Sequence, residues 1–318
     1  MTNDSVKKSK TATSVKGAGG VYKNLMAQFE KIWREAVRTT TGGMSKKSHF
    51  RYRDSMNNFL RFCAEKYHLQ KIANIGEKHL RAYVDYRRQA GIAEKTLKND
   101  LSAVRFFHQF TNSRNELPDN RALGIEKTLE GGKDRAWTDE EYQRMIEKAV
   151  ELGRKDVVMA MKLARQVGLR VHECTRLTVG HIQNALRDGE LEIKGKGGRV
   201  RRVPVRPEFR SELESLLEGH GSRNDEKIFV PPGEKTHTVI KSIQKFIQRH
   251  REEITERKIT FHGLRHSYAR EELAQRLERP ERNNLQRNDL NRSAQLQVAE
   301  LLGHGRPEVT KVYTGTGK

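Results

Sequence analysis

Glu190-Leu191-Glu192-Ile193-Lys194-Gly195-Lys196-Gly197-Gly198-Arg199-Val200-Arg201-Arg202-Val203-Pro204-Val205 holds two short alternating stretches on either side of three glycines. A period of two on both sides of a glycine-rich turn predicts a β-hairpin, here with a basic tip. The chain around it is patterned for helix. The fold class that follows is mainly α with a small antiparallel β-sheet.

Working outward, helical periodicity predicts helices over residues 138–152, 155–167 and 171–177 before the hairpin, and over 207–217, 238–254, 261–277 and 294–302 after it. Thr138 and Glu141 stand three apart ahead of an apolar run, the pattern of a capping box that opens a helix. These elements define a second domain over residues 136–318. Residues 112–135 lose the periodicity and carry Asn112, Asn115, Pro118, Asp119, Asn120, Gly131 and Gly132, so they read as a linker. Residues 21–111 form a separate helical domain, with Leu25, Phe29, Ile32, Trp33, Ala36 and Val37 on its first apolar face. Leu97, Leu101, Val104, Phe107 and Phe110 make its last stripe, and aromatics at that spacing read as core rather than as platforms for bases. Residues 1–20, with Lys7, Lys8, Lys10 and Lys16 among Ser, Thr and Gly, read as a disordered basic arm suited to phosphate contacts.

Lys and Arg total 62 against 41 for Asp and Glu, a formal charge of +21 over 318 residues. Such an excess calls for a polyanionic partner, with nucleic acid first and a ribosomal or merely basic protein as the alternative. Cys63 and Cys174 are too few and too far apart for a disulfide framework or a cysteine-based zinc site, which fits a reducing compartment. No apolar run has the length of a signal or membrane segment, so the expected location is cytoplasmic and no membrane partner is expected.

The C-terminal part of the chain carries the chemistry. Tyr313 follows a Gly303-His304 turn, and Pro307 is placed to open the short helix that carries it. A tyrosine attacking a phosphodiester has to lose a proton from a group of pKa near ~10, and the phosphorane charge and the leaving oxygen both need cationic or proton-donating help. His262 and Arg265 are three apart on one helix face with Thr260 at its start, and a second arginine and a lysine would complete the cationic help. His262 and His266 also have the spacing of two metal ligands, with His304 as a third. Arg265 between them would repel a cation and no carboxylate accompanies the pair, so neither a metal nor another cofactor is expected. Tyr268 is the competing tyrosine, and its place in an apolar pattern reads as packing.

Five motifs in order resemble the tyrosine recombinase, or phage integrase, family of site-specific DNA recombinases. Gly168-Leu169-Arg170-Val171-His172-Glu173 is similar to the family's first-arginine motif. Gly195-Lys196-Gly197 with Val203-Pro204 resembles its hairpin, and His262-Gly263-Leu264-Arg265-His266-Ser267 its second-arginine motif. Leu301-Leu302-Gly303-His304 and Tyr313 resemble the closing pair. The resemblance implies a helical, SAM-like core-binding domain followed by a catalytic domain, which clamp DNA between them. It implies a site of Arg170, Lys196, His262, Arg265, His304 and Tyr313, with Lys196 as general acid towards the 5′-oxygen, its neighbours Lys194 and Arg199 being the rivals for that role, and Tyr313 forming a 3′-phosphotyrosyl bond. A tetramer on two double-stranded DNA sites, integration and excision of a mobile element, and accessory DNA-bending proteins are further implied. A type IB topoisomerase and a non-catalytic DNA-binding or architectural protein of the same fold are the alternatives.

Two departures from the family pattern stand out. The spacing between Arg265 and His304 is long, with the excess in the polar residues 278–295, expected to be a surface insertion. Only Thr314 to Lys318 follow the tyrosine, which leaves no room for the extra helix that many relatives donate to a neighbouring subunit.

Overall fold

Helices α1 (Ser9–Thr39), α2 (Lys46–Tyr67), α3 (Glu77–Gln89) and α4 (Glu94–His108) build the first of two units into which the chain divides, Met1–Leu129 and Glu130–Lys318. The computed structural model describes residues 9–40, 46–125, 134–195, 198–221, 223–278, 287–304 and 307–314. In the first unit the helical stripes meet: Phe29 packs edge-on to Phe107 at 5.0 Å and Phe59 edge-on to Tyr83 at 5.0 Å. The aromatics form the core expected of their spacing. Buried Asp100 is satisfied by the Ser55 hydroxyl at 2.7 Å, the Tyr83 hydroxyl at 3.0 Å and the Arg87 guanidinium at 3.0 Å.

Two boundaries differ from the sequence reading. Residues 9–20 are helical rather than a disordered arm, because α1 continues backwards from its packed part and extending a nucleated helix costs little per residue. Residues 1–8 lie outside the described residues. The early part of the expected linker belongs to the first unit, since Leu123 and Ile125 are buried in its core. The Asn and Pro turns around them hide two apolar anchors. Residues 126–133 lie outside the described residues.

In the second unit, α5 (Asp139–Glu151) opens with the expected capping box, Thr138 Oγ1 accepting from the Glu141 N–H at 3.1 Å and the Glu141 carboxylate accepting from the Thr138 N–H at 2.9 Å. α6 (Lys155–Gln166), α7 (Val171–Cys174) and α8 (Val179–Asp188) follow. α8 is an additional helix whose periodicity is weak, because Gly180, His181 and Asn184 dilute a short apolar face capped by Thr178. Strands β1 (Glu190–Lys194) and β2 (Val200–Pro204) pair antiparallel with Leu191 opposite Val203 and Ile193 opposite Arg201. Leu191, Ile193 and Val203 point inward, and the alternation sends Arg201 inward with them.

A single 3₁₀ turn at Pro207–Phe209 and the short α9 (Arg210–Ser215) stand where one longer helix was expected. α10 (Thr236–Ile254) and α11 (Phe261–Glu278) follow, and α11 packs against α6, α12 (Arg287–Leu301) and α13 (Pro307–Thr314). α11 is the central helix, buried along Phe261 and Gly263 to Ala269. α12 reaches back to Arg287, so part of the expected insertion is helix; residues 279–286 lie outside the described residues. Among the described residues no helix is long and apolar enough to cross a membrane.

Candidate active site

Glu173 is the hub. It is 2% exposed, in the single turn of α7, where its carboxylate accepts from the Arg170 N–H at 2.9 Å and from the Arg170 guanidinium at 2.8 Å. Arg201, arriving from β2, donates to both carboxylate oxygens at 3.0 and 2.8 Å, and Arg265 from α11 comes within 3.8 Å. Burial alone would raise the Glu173 pKa. The hydrogen bonds and charge of Arg201, with the Arg170 N–H and Arg265, overcome it and hold the group down at about 2. One carboxylate thus gathers three guanidiniums, and the cluster keeps a positive surplus suited to a phosphate.

Arg265 is fully buried and donates to the carbonyls of Gly168 and Leu302, which ties α11 to the turn before Arg170 and to the end of α12. Burial, then Arg170 and Arg201, draw it down to about 9, so it stays charged at neutral pH. Gly168 adopts φ +65°, and a Cβ there would lie 2.4 Å from the Tyr268 ring, so only glycine lets this turn reach Arg265. Tyr268 itself is packed, as its pattern predicts, with 1% exposure.

Tyr313, 8% exposed on α13, sits inside a ring of three histidines. Its hydroxyl is 2.9 Å from His262 Nε2, its ring is stacked on His266 with centroids 4.2 Å apart and planes at 14°, and His304 lies against it at 4.7 Å. The Arg265 guanidinium stands 5.8 Å from the centre of the phenol. His304 is placed by the turn that ends α12, where Gly303 adopts φ +61° and the His304 N–H reaches the Ala299 carbonyl at 2.9 Å. Its Nδ1 meets the Thr310 hydroxyl at 3.0 Å, while its Nε2 is buried with no hydrogen-bond partner among the described residues.

All three imidazoles are held neutral. His262 keeps an open edge to solvent, yet burial of the rest of its ring, then Arg265 and Arg170, lowers it to about 4. His266 falls to about 3 through burial, His262 and Arg135, and His304 to about 3 through burial, Arg265 and Arg170. A neutral His262 leaves Nε2 free to accept the phenol proton. Among the described residues no cluster of three or more His, Cys, Asp or Glu is arranged to hold a metal ion.

The structure therefore brings together Arg170, His262, Arg265, His304 and Tyr313 out of the six candidates. Lys196, the sixth, lies outside the described residues; its neighbour Gly195 is close to the hub, where a Cβ would lie 3.7 Å from Glu173 Oε1. The sequence motifs do not single out Arg201, yet it is 8% exposed and is the strongest partner of Glu173. The period of two that defines β2 carried the missing signal, because it puts Arg201 on the same face as Val203. A cavity of about 620 Å³ opens beside His304, bordered by Arg199, Arg201, Arg202 and Arg276.

Comparison with known proteins matches this architecture. The family profile "Phage integrase, N-terminal SAM-like domain" covers residues 33–115, and "Phage integrase family" covers residues 135–276. The tyrosine recombinase XerC of Pseudomonas syringae pv. tomato (strain ATCC BAA-871 / DC3000) is 29% identical over 274 residues, 83% of each chain. Among solved structures, the XerH site-specific recombinase bound to a palindromic difH substrate has a similar fold, with a TM-score of 0.63 at 19% identity over 100% of this chain and 88% of that one. A lambda integrase tetramer bound to a Holliday junction gives 0.60 at 16% identity over 92% and 78%. With both domains matched in order and a buried tyrosine beside the cationic cluster, the chain belongs to the phage integrase family of tyrosine recombinases, enzymes of site-specific DNA recombination.

Proposed function

We propose that Tyr313 is the nucleophile that cuts one DNA strand, and that the hydroxyl lying 2.9 Å from His262 Nε2 is the observation that carries this reading. In the step, the phenolic oxygen bonds to the scissile phosphorus as the bond to the 5′-oxygen breaks, leaving a 3′-phosphotyrosyl bond and a free 5′-hydroxyl. His262 takes the phenol proton through a ring that is neutral at physiological pH. Arg170 and Arg265 hold the non-bridging oxygens, and the unpartnered His304 Nε2 supplies a further hydrogen bond once protonated on that nitrogen. Lys196 gives its proton to the departing 5′-oxygen. Rejoining reverses the step on a new strand, and because one phosphodiester replaces another through a covalent intermediate, no high-energy cofactor is required.

The double-stranded recombination sites are bound by the two units of each chain, four chains assemble on two sites, and accessory DNA-bending proteins shape the complex. The reaction serves integration and excision of a mobile element in the cytoplasm, a role that rests on the family resemblance. Plasmids bearing the flanking repeats of the element test it: recombinant products support the reading. Relaxation of plasmids that lack the repeats, with no recombinants, would favour a type IB topoisomerase, and DNA binding with no cleavage at all would favour an architectural protein. Arg170→Ala and Arg265→Lys are expected to bind DNA but to cut it about 10²–10³-fold more slowly. Wild-type cleavage rates in both would remove them from the site.

A further inference from the structure

His266 is the one imidazole of the cluster to which the proposed reaction gives no task, and its surroundings are specific. It stands one helical turn after His262 on α11, 2% exposed, with the two rings edge to face at 5.3 Å and 86°. Its ring lies nearly parallel to the Tyr313 phenol, 4.2 Å between centroids, so a flat face meets the residue proposed as nucleophile.

The geometry of that residue explains why it needs this contact. α13 is an eight-residue helix, and Tyr313 is next to its last residue. Rotation about two side-chain torsions is enough to carry the hydroxyl away from His262. A flat partner on one face removes that freedom, because offset-parallel stacking fixes the plane of the ring while leaving the hydroxyl edge open. His304 meets the same phenol at 49°, so it closes a side without setting the plane. An aliphatic side chain would fill the volume but not select an angle.

We propose that His266 is a positioning residue for Tyr313, its imidazole stacked on the phenol so that the hydroxyl stays aligned on His262 and the nucleophile is held by its own chain. The stack works with an uncharged imidazole, which burial, His262, Arg135 and Arg270 maintain. The inference rests on Tyr313 being the nucleophile.

Two variants separate the flat ring from the polar N–H: His266→Phe keeps a flat ring and loses the N–H, and His266→Gln keeps an N–H and loses the ring. In the full chain with a nicked cognate site, His266→Gln should form covalent adduct about 10- to 100-fold more slowly at unchanged DNA affinity, the penalty expected of a misplaced reacting group. His266→Phe should recover most of the rate. Wild-type rates in both variants, or equal loss in both, would overturn the proposal, and loss in His266→Phe with retention in His266→Gln would overturn it by transferring the role to the N–H. Should His266→Gln fail to fold, His266→Phe decides by itself: near-wild-type cleavage supports the stack, and a loss as deep as that of Tyr313→Phe refutes it. An activity-independent readout uses 3-fluorotyrosine-labelled protein, with the Tyr313 resonance assigned by its disappearance in Tyr313→Phe. That resonance should shift and broaden in His266→Gln, and an unmoved resonance would show that the rings are not stacked. Persistence of the adduct in Tyr313→Phe would instead refute the nucleophile, leaving the resonance to judge the stack alone.

Discussion

Glu173 and the three histidines around Tyr313 contribute to the acid response of the protein. His262, His266 and His304 titrate at about 4, 3 and 3 in the fold against 6.5 unperturbed, so below about pH 6.5 the unfolded chain takes up protons that the folded chain refuses. Stability is therefore fully present above pH 6.5 and is lost as the pH falls toward the folded values. Glu173, held at about 2 against 4.5, adds a contribution present above 4.5 and lost as the pH falls from there through 2. Thermal unfolding followed from about pH 7 down to about pH 4 should show a falling midpoint, and His266→Phe should flatten that fall; an unchanged slope in the variant would contradict the assigned shift. At this scale the clustering was legible in part. Tyr313, Arg265 and His304 stand in short motifs, and the fold brings their side chains together. Arg201 was not legible as a buried group, because its basic neighbours at 199 and 202 make the run look solvated.

The hairpin explains that miss at the scale of the element. β2 alternates Val200, Arg201, Arg202 and Val203, and the inward face carries one arginine and one valine. The arginine is tolerated there because Glu173 meets it with two hydrogen bonds; a buried charge without such a partner would be strongly unfavourable. Arg201→Ala should therefore destabilise the protein by about 3–5 kcal/mol, since it leaves the Glu173 carboxylate underpaired in the interior. Denaturant unfolding would check this, and a change within ~0.5 kcal/mol would show that the pair is a surface contact. The same arginine touches the end of α12, where a Cβ on Gly303 would come 3.1 Å from its Cδ. The hairpin, the Glu173 turn and the turn carrying His304 are thus braced by one side chain. Helix α8 and the early start of α12 were missed for a different reason: glycine, asparagine and charged residues thin their apolar faces, and tertiary packing outweighs the weak local preference.

Across the whole molecule the dominant property is the +21 charge. It predicts that binding to DNA of arbitrary sequence weakens steeply with salt: with about 6–10 phosphates neutralised, affinity should fall roughly 10³- to 10⁵-fold between 50 and 200 mM. Fluorescence anisotropy on a random duplex measures this, and a flat salt response would place the charge away from the DNA. The two-unit plan was visible in the change of periodicity between residues 110 and 138, but the edge of the first unit was not, because Leu123 and Ile125 are isolated apolar residues in polar turns. The central claim is that one side chain, Tyr313, becomes covalently attached to DNA. The direct measurement is peptide mapping by mass spectrometry of the full chain trapped on a suicide substrate whose cleaved 5′ end diffuses away. The account predicts a single modified peptide carrying a 3′-linked nucleotide on Tyr313 and none in Tyr313→Phe; attachment at any other residue, or an adduct that survives in Tyr313→Phe, would contradict it.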